Sequence, residues 1–222
     1  MNMKRLFFVL MMSLCILAVN AQVVEKTFAD VKNEGNAAIK VKDYVKALEL
    51  YEQALVLWGD KPIADTSMIY NMGICAMSSK NYEKALKYFD QTIAMDYKKV
   101  NSLVYESDVY RLTKKDAESL KTLEDALAIS PEDAKVKSKL AAYYVKQANA
   151  FYAKGSAIIT KVNGDITAGK LKTSDEPYKQ AEKQAVDEFK KAMPLIEKAL
   201  EYDATNATAK QLKSACEQAI KG

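Results

Sequence analysis

Histidine is missing from this chain of 222 residues, and cysteine (3), proline (4) and glycine (7) are scarce. Without histidine there is no imidazole for general acid–base catalysis or for a metal site. A nucleophile elbow, a glycine-rich phosphate loop and a CxxC pair are also missing. We therefore expect a protein that is not an enzyme and that has no cofactor and no bound metal.

The scarcity of glycine and proline, with abundant leucine, alanine, lysine, glutamate and tyrosine, predicts an α-helical chain. Arginine is also rare, because Arg5 and Arg111 are the only two among 33 basic residues, which face 29 acidic ones. Lysine and glutamate alternate along the expected helices, as on a solvated surface. A nucleic-acid partner is not expected, since such proteins rely on arginine and on a basic face.

The amino terminus has the pattern of an export signal. Lys4 and Arg5 precede a nearly continuous apolar run over residues 6–19, which is too short to span a bilayer comfortably. Val19-Asn20-Ala21 has small residues at the two positions that a signal peptidase reads, so we expect residues 1–21 to be a signal peptide that is cleaved near Ala21-Gln22. The mature protein would then lie in the periplasm or cell envelope of a bacterium.

Two alternatives concern the membrane, and one concerns the cysteines. The first alternative is that the apolar run stays uncleaved and serves as an anchor. The second is lipidation of Cys15, although the bulky Leu14 stands before it where such signals have a small residue. After cleavage Cys75 and Cys216 remain, and both are expected to be small buried residues on helix faces. A disulfide between them is the alternative in an oxidising compartment.

Small and aromatic residues recur with a period of 34 residues, stretched to 38 between the first two copies. Such a period predicts a stack of helical hairpins, a class that binds other proteins. The three copies are Gly35, Tyr44, Ala47, Tyr51 and Ala54; Gly73, Tyr82, Ala85, Phe89 and Thr92; and Ser107, Ser119, Leu123, Ala126 and Pro131.

These residues resemble the tetratricopeptide repeat (TPR), and the copy with Gly73, Ala76, Tyr82, Ala85 and Phe89 matches it well. The resemblance implies an all-α fold, a TPR-like right-handed solenoid of antiparallel helix pairs. It also implies a concave groove, lined by the first helix of each pair, that holds a protein or peptide. A generic helical bundle is the alternative fold.

We expect residues 22–222 to form one repeat domain. Its regular repeats span about 28–61, 66–99 and 100–133. The remainder is read as a split repeat over 134–206 with an inserted loop near 163–176, and a capping helix over 204–221.

Projected onto helices, the repeats predict which side chains line the groove. They are Lys32, Asn36, Tyr70, Asn71, Met77, Tyr105, Asp108 and Arg111. Lys32, Asn36 and Asn71 stand where some family members hold a peptide's terminal carboxylate, although Asn101 and Tyr105 replace the basic residues that complete such a clamp. Packing between repeats is the alternative role for Tyr70 and Tyr105.

The resulting functional hypothesis is a non-catalytic, exported scaffold for a protein or peptide partner. Its contact with a membrane would be indirect, through an envelope complex. The alternative is a structural subunit of such a complex that associates with copies of itself as a homo-oligomer.

Overall fold

The computed structural model describes residues 25–59, 61 and 65–221. The expected signal peptide over 1–21 and its cleavage site lie outside these residues, as does Cys15. Within the described part of the chain, no helix combines the length and the apolar character needed to cross a bilayer. The chain divides into two compact units, one ending at Met68 and the other beginning at Ile69.

All regular secondary structure of the described residues is α-helix, which confirms the all-α fold class. Several pairs of consecutive helices pack against each other as hairpins, for example α1 with α2 and α5 with α6. The helices are α1 (Phe28–Lys40), α2 (Tyr44–Trp58), α3 (Thr66–Ser78), α4 (Tyr82–Ala94), α5 (Lys99–Leu112), α6 (Asp116–Ile129), α7 (Ala134–Thr167), α8 (Glu176–Tyr202) and α9 (Ala207–Lys221).

Three hairpins are closed by the same three-residue turn. Its middle residue is a lysine with left-handed backbone: Lys42, Lys80 and Lys114 have φ angles of 61°, 63° and 61°. In each turn the next residue donates its N–H to the carbonyl five residues earlier, at 2.8–2.9 Å. This bond satisfies a carbonyl that the end of the first helix leaves without a helical partner. The repeated turn sets a common geometry for the hairpins.

A close approach between a glycine and an aromatic ring joins the two helices of three hairpins. A Cβ atom on any of these glycines would lie 2.6–2.7 Å from the nearest ring carbon, inside van der Waals contact. Only glycine therefore lets the ring sit flat against the first helix. The pairs are Gly35 with Tyr51, Gly73 with Phe89 and Gly155 with Phe189.

The inserted loop is shorter than the expected 163–176. Helix α7 continues through Gly164 to Thr167, whose Oγ1 donates to the Asn163 carbonyl at 2.9 Å. The chain leaves the helix at Gly169, with φ 71°, so that the loop covers residues 168–175. A single helical glycine costs about 1 kcal/mol, which the packing of α7 on α8 outweighs.

The split repeat keeps the buried spacing of a regular repeat within α8. Ala185, Phe189 and Ala192 are buried with the spacing of Ala85, Phe89 and Thr92 in the second repeat. The aromatic position of the split repeat is therefore Phe189, in the middle of α8.

The last helix begins at Ala207, three residues later than the expected 204. Asn206 is the reason, because its Oδ1 accepts the N–H of Ala209 at 3.0 Å and so caps the helix. Leu212 and Cys216 of this helix are buried against α8 and the adjoining part of α7. Cys75 and Cys216 are free thiols, so the alternative disulfide is not formed.

Candidate functional site

Helices α5, α6 and α7 of the second unit enclose a pocket of about 300 Å³. Its floor is formed by residues that are almost fully buried, Ser107, Ser119 and Leu123. Charged side chains surround the opening. The complete lining is Ser107, Asp108, Arg111, Asp116, Ser119, Leu123, Lys139, Ala142, Tyr143 and Lys146.

Ion pairs between helices organise the rim. Lys139 Nζ of α7 donates to both carboxylate oxygens of Asp108 on α5, at 2.6 and 2.8 Å. One side of the rim is completed by Lys146, which donates to both oxygens of Asp116 at 2.8 and 2.9 Å. Arg111 approaches Asp108 only to 3.6 Å, and its side chain is 56% exposed. Three cations thus face two carboxylates, and Arg111 is the least neutralised of them.

The floor shows why this repeat tolerates serines where the others have glycine and alanine. Ser119 Oγ donates to the Ser107 carbonyl at 2.9 Å, and Ser107 Oγ donates to the Val104 carbonyl at 2.8 Å. Both buried hydroxyls are therefore satisfied, and α5 and α6 still approach closely. Leu123 stands one period of 34 residues after Phe89, and its side chain is smaller than the phenyl ring.

Two predicted groove residues lie in the first unit, and both are already engaged there. Lys32 Nζ donates to Asp65 at 2.7 Å, and Asn36 Oδ1 accepts the Tyr51 hydroxyl at 2.6 Å. Asp65 in turn accepts the N–H of Met68 and so caps α3. These contacts give Lys32 and Asn36 structural roles in the first unit.

Tyr70 belongs to an aromatic cluster of the second unit. It is 7% exposed, and its ring centroid lies 6.0 Å from that of Tyr105 and 6.3 Å from that of Phe89. Burial and the neighbouring Tyr105 hydroxyl raise the pKa of Tyr70. Tyr105 stacks on Phe89 with centroids 5.4 Å apart. The packing role left open for these tyrosines is the one that the structure supports.

The four remaining predicted groove residues lie partly on α3 and partly at the pocket. Asn71 and Met77 are half-buried on α3, whereas Asp108 and Arg111 reach the pocket. The residues missed from sequence are Lys139 and Lys146, which complete the rim. Their spacing of seven residues put them on one face of α7, which was the available signal.

A buried acid lies at a core position of the same unit. Glu106 is 5% exposed, and its Oε1 has no hydrogen-bond partner among the described residues. One repeat period before and after it stand Met72 and Leu140, both fully buried. Burial, then the charge of Asp90 and a hydrogen bond with it, raises the pKa of Glu106 to about 8. The carboxyl is therefore protonated at neutral pH.

A second cavity, of about 380 Å³, lies where α7, α8 and α9 meet. Tyr152, Asn163, Tyr178 and Glu182 are among its lining residues. It lies beside the loop over 168–175 but has no cationic lining residue. No group of three metal-ligating side chains lies together among the described residues.

The sequence matches no protein-family model and no curated protein. Solved structures of TPR proteins are similar to it. A TPR repeats protein from Bacteroides fragilis is 24% identical, with a TM-score of 0.51 over 87% of this chain and 99% of that one. A tetratricopeptide repeat protein from Parabacteroides merdae is 11% identical, with a TM-score of 0.51 over 87% of this chain and 73% of that one. The helix hairpins and these likenesses together show that the chain has the tetratricopeptide-repeat fold.

Proposed function

We propose that the protein is a non-catalytic scaffold that binds a segment of another protein at the α5–α6–α7 pocket. The pocket itself carries the proposal, because it combines a buried, partly apolar lining with a charged rim on three packed helices. Residues that folding has already ordered lose little entropy when a ligand binds. The TPR fold supports this function, since helix hairpins of this kind present extended surfaces to partners.

Affinity capture with matched variants tests the scaffold. Tagged protein comprising residues 22–222 is incubated with the envelope fraction of its own cells, and bound proteins are identified by mass spectrometry. We expect Arg111→Glu to lose a specific partner that Lys121→Glu, an exposed charge outside the pocket lining, retains. Equal capture by both variants, or no enrichment over an unrelated helical protein, would refute the proposal. Tyr70 is unsuitable as a test residue because it is buried.

Export is part of the proposal and rests on the sequence pattern of residues 1–21. The intact mass of the protein recovered from the envelope fraction should correspond to a chain that begins at Gln22. A mass that includes residues 1–21 would contradict cleavage. Recovery from the cytoplasmic fraction alone would contradict export.

Self-association is the competing structural role, and an apolar patch on α7 or α8 would favour it. Among the described residues, the large apolar side chains that are exposed lie on other elements. They are Val41, Val45, Val56, Leu57, Met95, Leu112 and Ile129. Sedimentation over a wide concentration range separates the two roles, because the scaffold should keep a constant mass without its partner.

A further inference from the structure

The pocket lies where the preceding repeat places a stacked pair of rings. Phe89 and Tyr105 stack with an interplanar angle of 12° between α4 and α5. One period of 34 residues later the corresponding positions are Leu123 and Lys139. Lys139 points to Asp108, and Leu123 is too short to replace a ring. The stacked pair is therefore missing from this contact, and the pocket occupies its place.

The size and lining of the pocket suit one large apolar side chain. Leu123, Ala142 and the Tyr143 ring supply apolar surface. The volume of about 300 Å³ exceeds the roughly 150 Å³ in which an engineered apolar cavity accepts benzene. An entering ring would restore the kind of contact that Phe89 makes one repeat earlier.

The rim selects the charge next to that side chain. Asp108 and Asp116 are each paired with a lysine, so an incoming cation would meet carboxylates that are already occupied. Arg111 keeps a largely exposed guanidinium at the opening. Its planar set of donors matches a carboxylate in a bidentate arrangement.

We propose that the pocket binds a bulky apolar residue, best an aromatic one, of an extended peptide in which an adjacent residue is acidic. The apolar side chain enters the pocket, and the neighbouring Asp or Glu pairs with Arg111. This inference rests on the proposed scaffold function and names the chemistry of the segment that the scaffold recognises.

Defined peptides test the inference without the natural partner. The probe is a fluorescein-labelled Gly-Ser-Asp-Phe-Asp-Ser-Gly peptide with a C-terminal amide, which removes the terminal carboxylate. Fluorescence anisotropy at physiological salt should show saturable binding to residues 22–222. Replacing Phe by Ala in the peptide should weaken binding about tenfold or more, because it removes one buried large apolar side chain. Replacing both Asp by Asn should weaken it less, and in a salt-dependent way.

Two protein variants locate the binding site. Ala142 is exposed on α7 at the edge of the pocket, so Ala142→Leu should block the peptide without disturbing the core. Ala150→Leu is the control, because Ala150 is exposed about two turns further along the same helix and outside the pocket lining. This variant should bind as wild type does. Arg111→Gln should remove the preference for Asp over Asn peptides. Urea midpoints measured for each variant show whether the fold is kept.

Three outcomes would overturn the inference: no saturable binding, equal binding of the Phe and Ala peptides, or full binding by Ala142→Leu. Each of these leaves the scaffold function standing if capture of a partner still depends on Arg111. Loss of that dependence, with peptide binding retained, would instead count against the scaffold function alone.

Discussion

Gly155 and Gly164 lie in the same helix and provide a matched test of the contact between glycine and ring. A Cβ at Gly155 would come within 2.6 Å of Phe189 Cε1, whereas a Cβ at Gly164 would meet nothing within 4 Å. Ordinary carbon–carbon contacts lie at about 3.5–4.0 Å, so the ring would have to move by about 1 Å. Phe189 is 4% exposed and packs on Tyr152, so such a movement disturbs the core.

The two alanine variants should therefore differ in stability, and Gly164→Ala should be the more stable of the two. Alanine is favoured over glycine by about 1 kcal/mol inside a helix, and Gly164→Ala should gain about that amount. Gly155→Ala gains the same propensity term but incurs an overpacking cost of about 1–3 kcal/mol. The difference between the variants cancels the propensity term and isolates the steric cost, which should be about 1–3 kcal/mol.

Urea unfolding followed by far-UV circular dichroism measures this difference. The dependence of the free energy of unfolding on urea concentration should be the same for both variants, which shows that they expose the same surface on unfolding. A rescue experiment uses Phe189→Leu, which copies the leucine that faces Ser107 in the third repeat. Adding Gly155→Ala to that background should cost much less than it does in wild type. The reasoning is refuted if Gly155→Ala is as stable as Gly164→Ala, or if the leucine background gives no relief.

Four further outcomes are expected. Glu106→Gln should flatten the pH dependence of the free energy of unfolding. Between about pH 4.5 and 8, Glu106 is protonated in the folded state and ionised in the unfolded state, so rising pH favours unfolding. Wild type should therefore lose up to about 1.4 kcal/mol of stability per pH unit in this range, relative to the variant. Tyr70→Ala should destabilise by about 3–5 kcal/mol in urea unfolding, as for other buried aromatic residues. Lys80→Gly should stabilise by about 0.5–1 kcal/mol by the same assay, because its φ of 63° suits glycine. Cys75, whose pKa burial raises to about 11, should resist iodoacetamide at pH 7 until the protein is denatured, as followed by mass spectrometry.

The regular repeats were predictable because their contacts are local. Gly73 and Phe89 are 16 residues apart, the same separation as Gly35 and Tyr51, so one short pattern specifies one hairpin. In the split repeat Gly155 and Phe189 are 34 residues apart. An insertion of 18 residues therefore separates two positions that still meet, and a search for a fixed spacing misses them.

The site was only partly predictable for a different reason. Asp108 and Arg111 followed from the groove face of one helix, which a helical projection supplies. Their partner Lys139 lies 31 residues beyond Asp108, on a helix of the split repeat. Which lysine meets which aspartate depends on how α7 crosses α5, and no local pattern encodes that angle.

The three departures of the third repeat from the pattern belong together. Gly73, Phe89 and Tyr105 become Ser107, Leu123 and Lys139, each 34 residues later. Against a ring, a Cβ in place of Gly73 would lie 2.6 Å from the nearest carbon, so a serine at this position requires a smaller partner. Because Leu123 has no ring, the residue that corresponds to Tyr105 has no ring to stack on. A lysine, Lys139, can therefore occupy that position and pair with Asp108. The changes thus exchange a packed aromatic contact for a pocket with a charged rim, while the serine hydroxyls keep the two helices joined. The loss of the repeat glycine is for this reason better explained as one part of a coupled set that opens a pocket than as decay of the repeat.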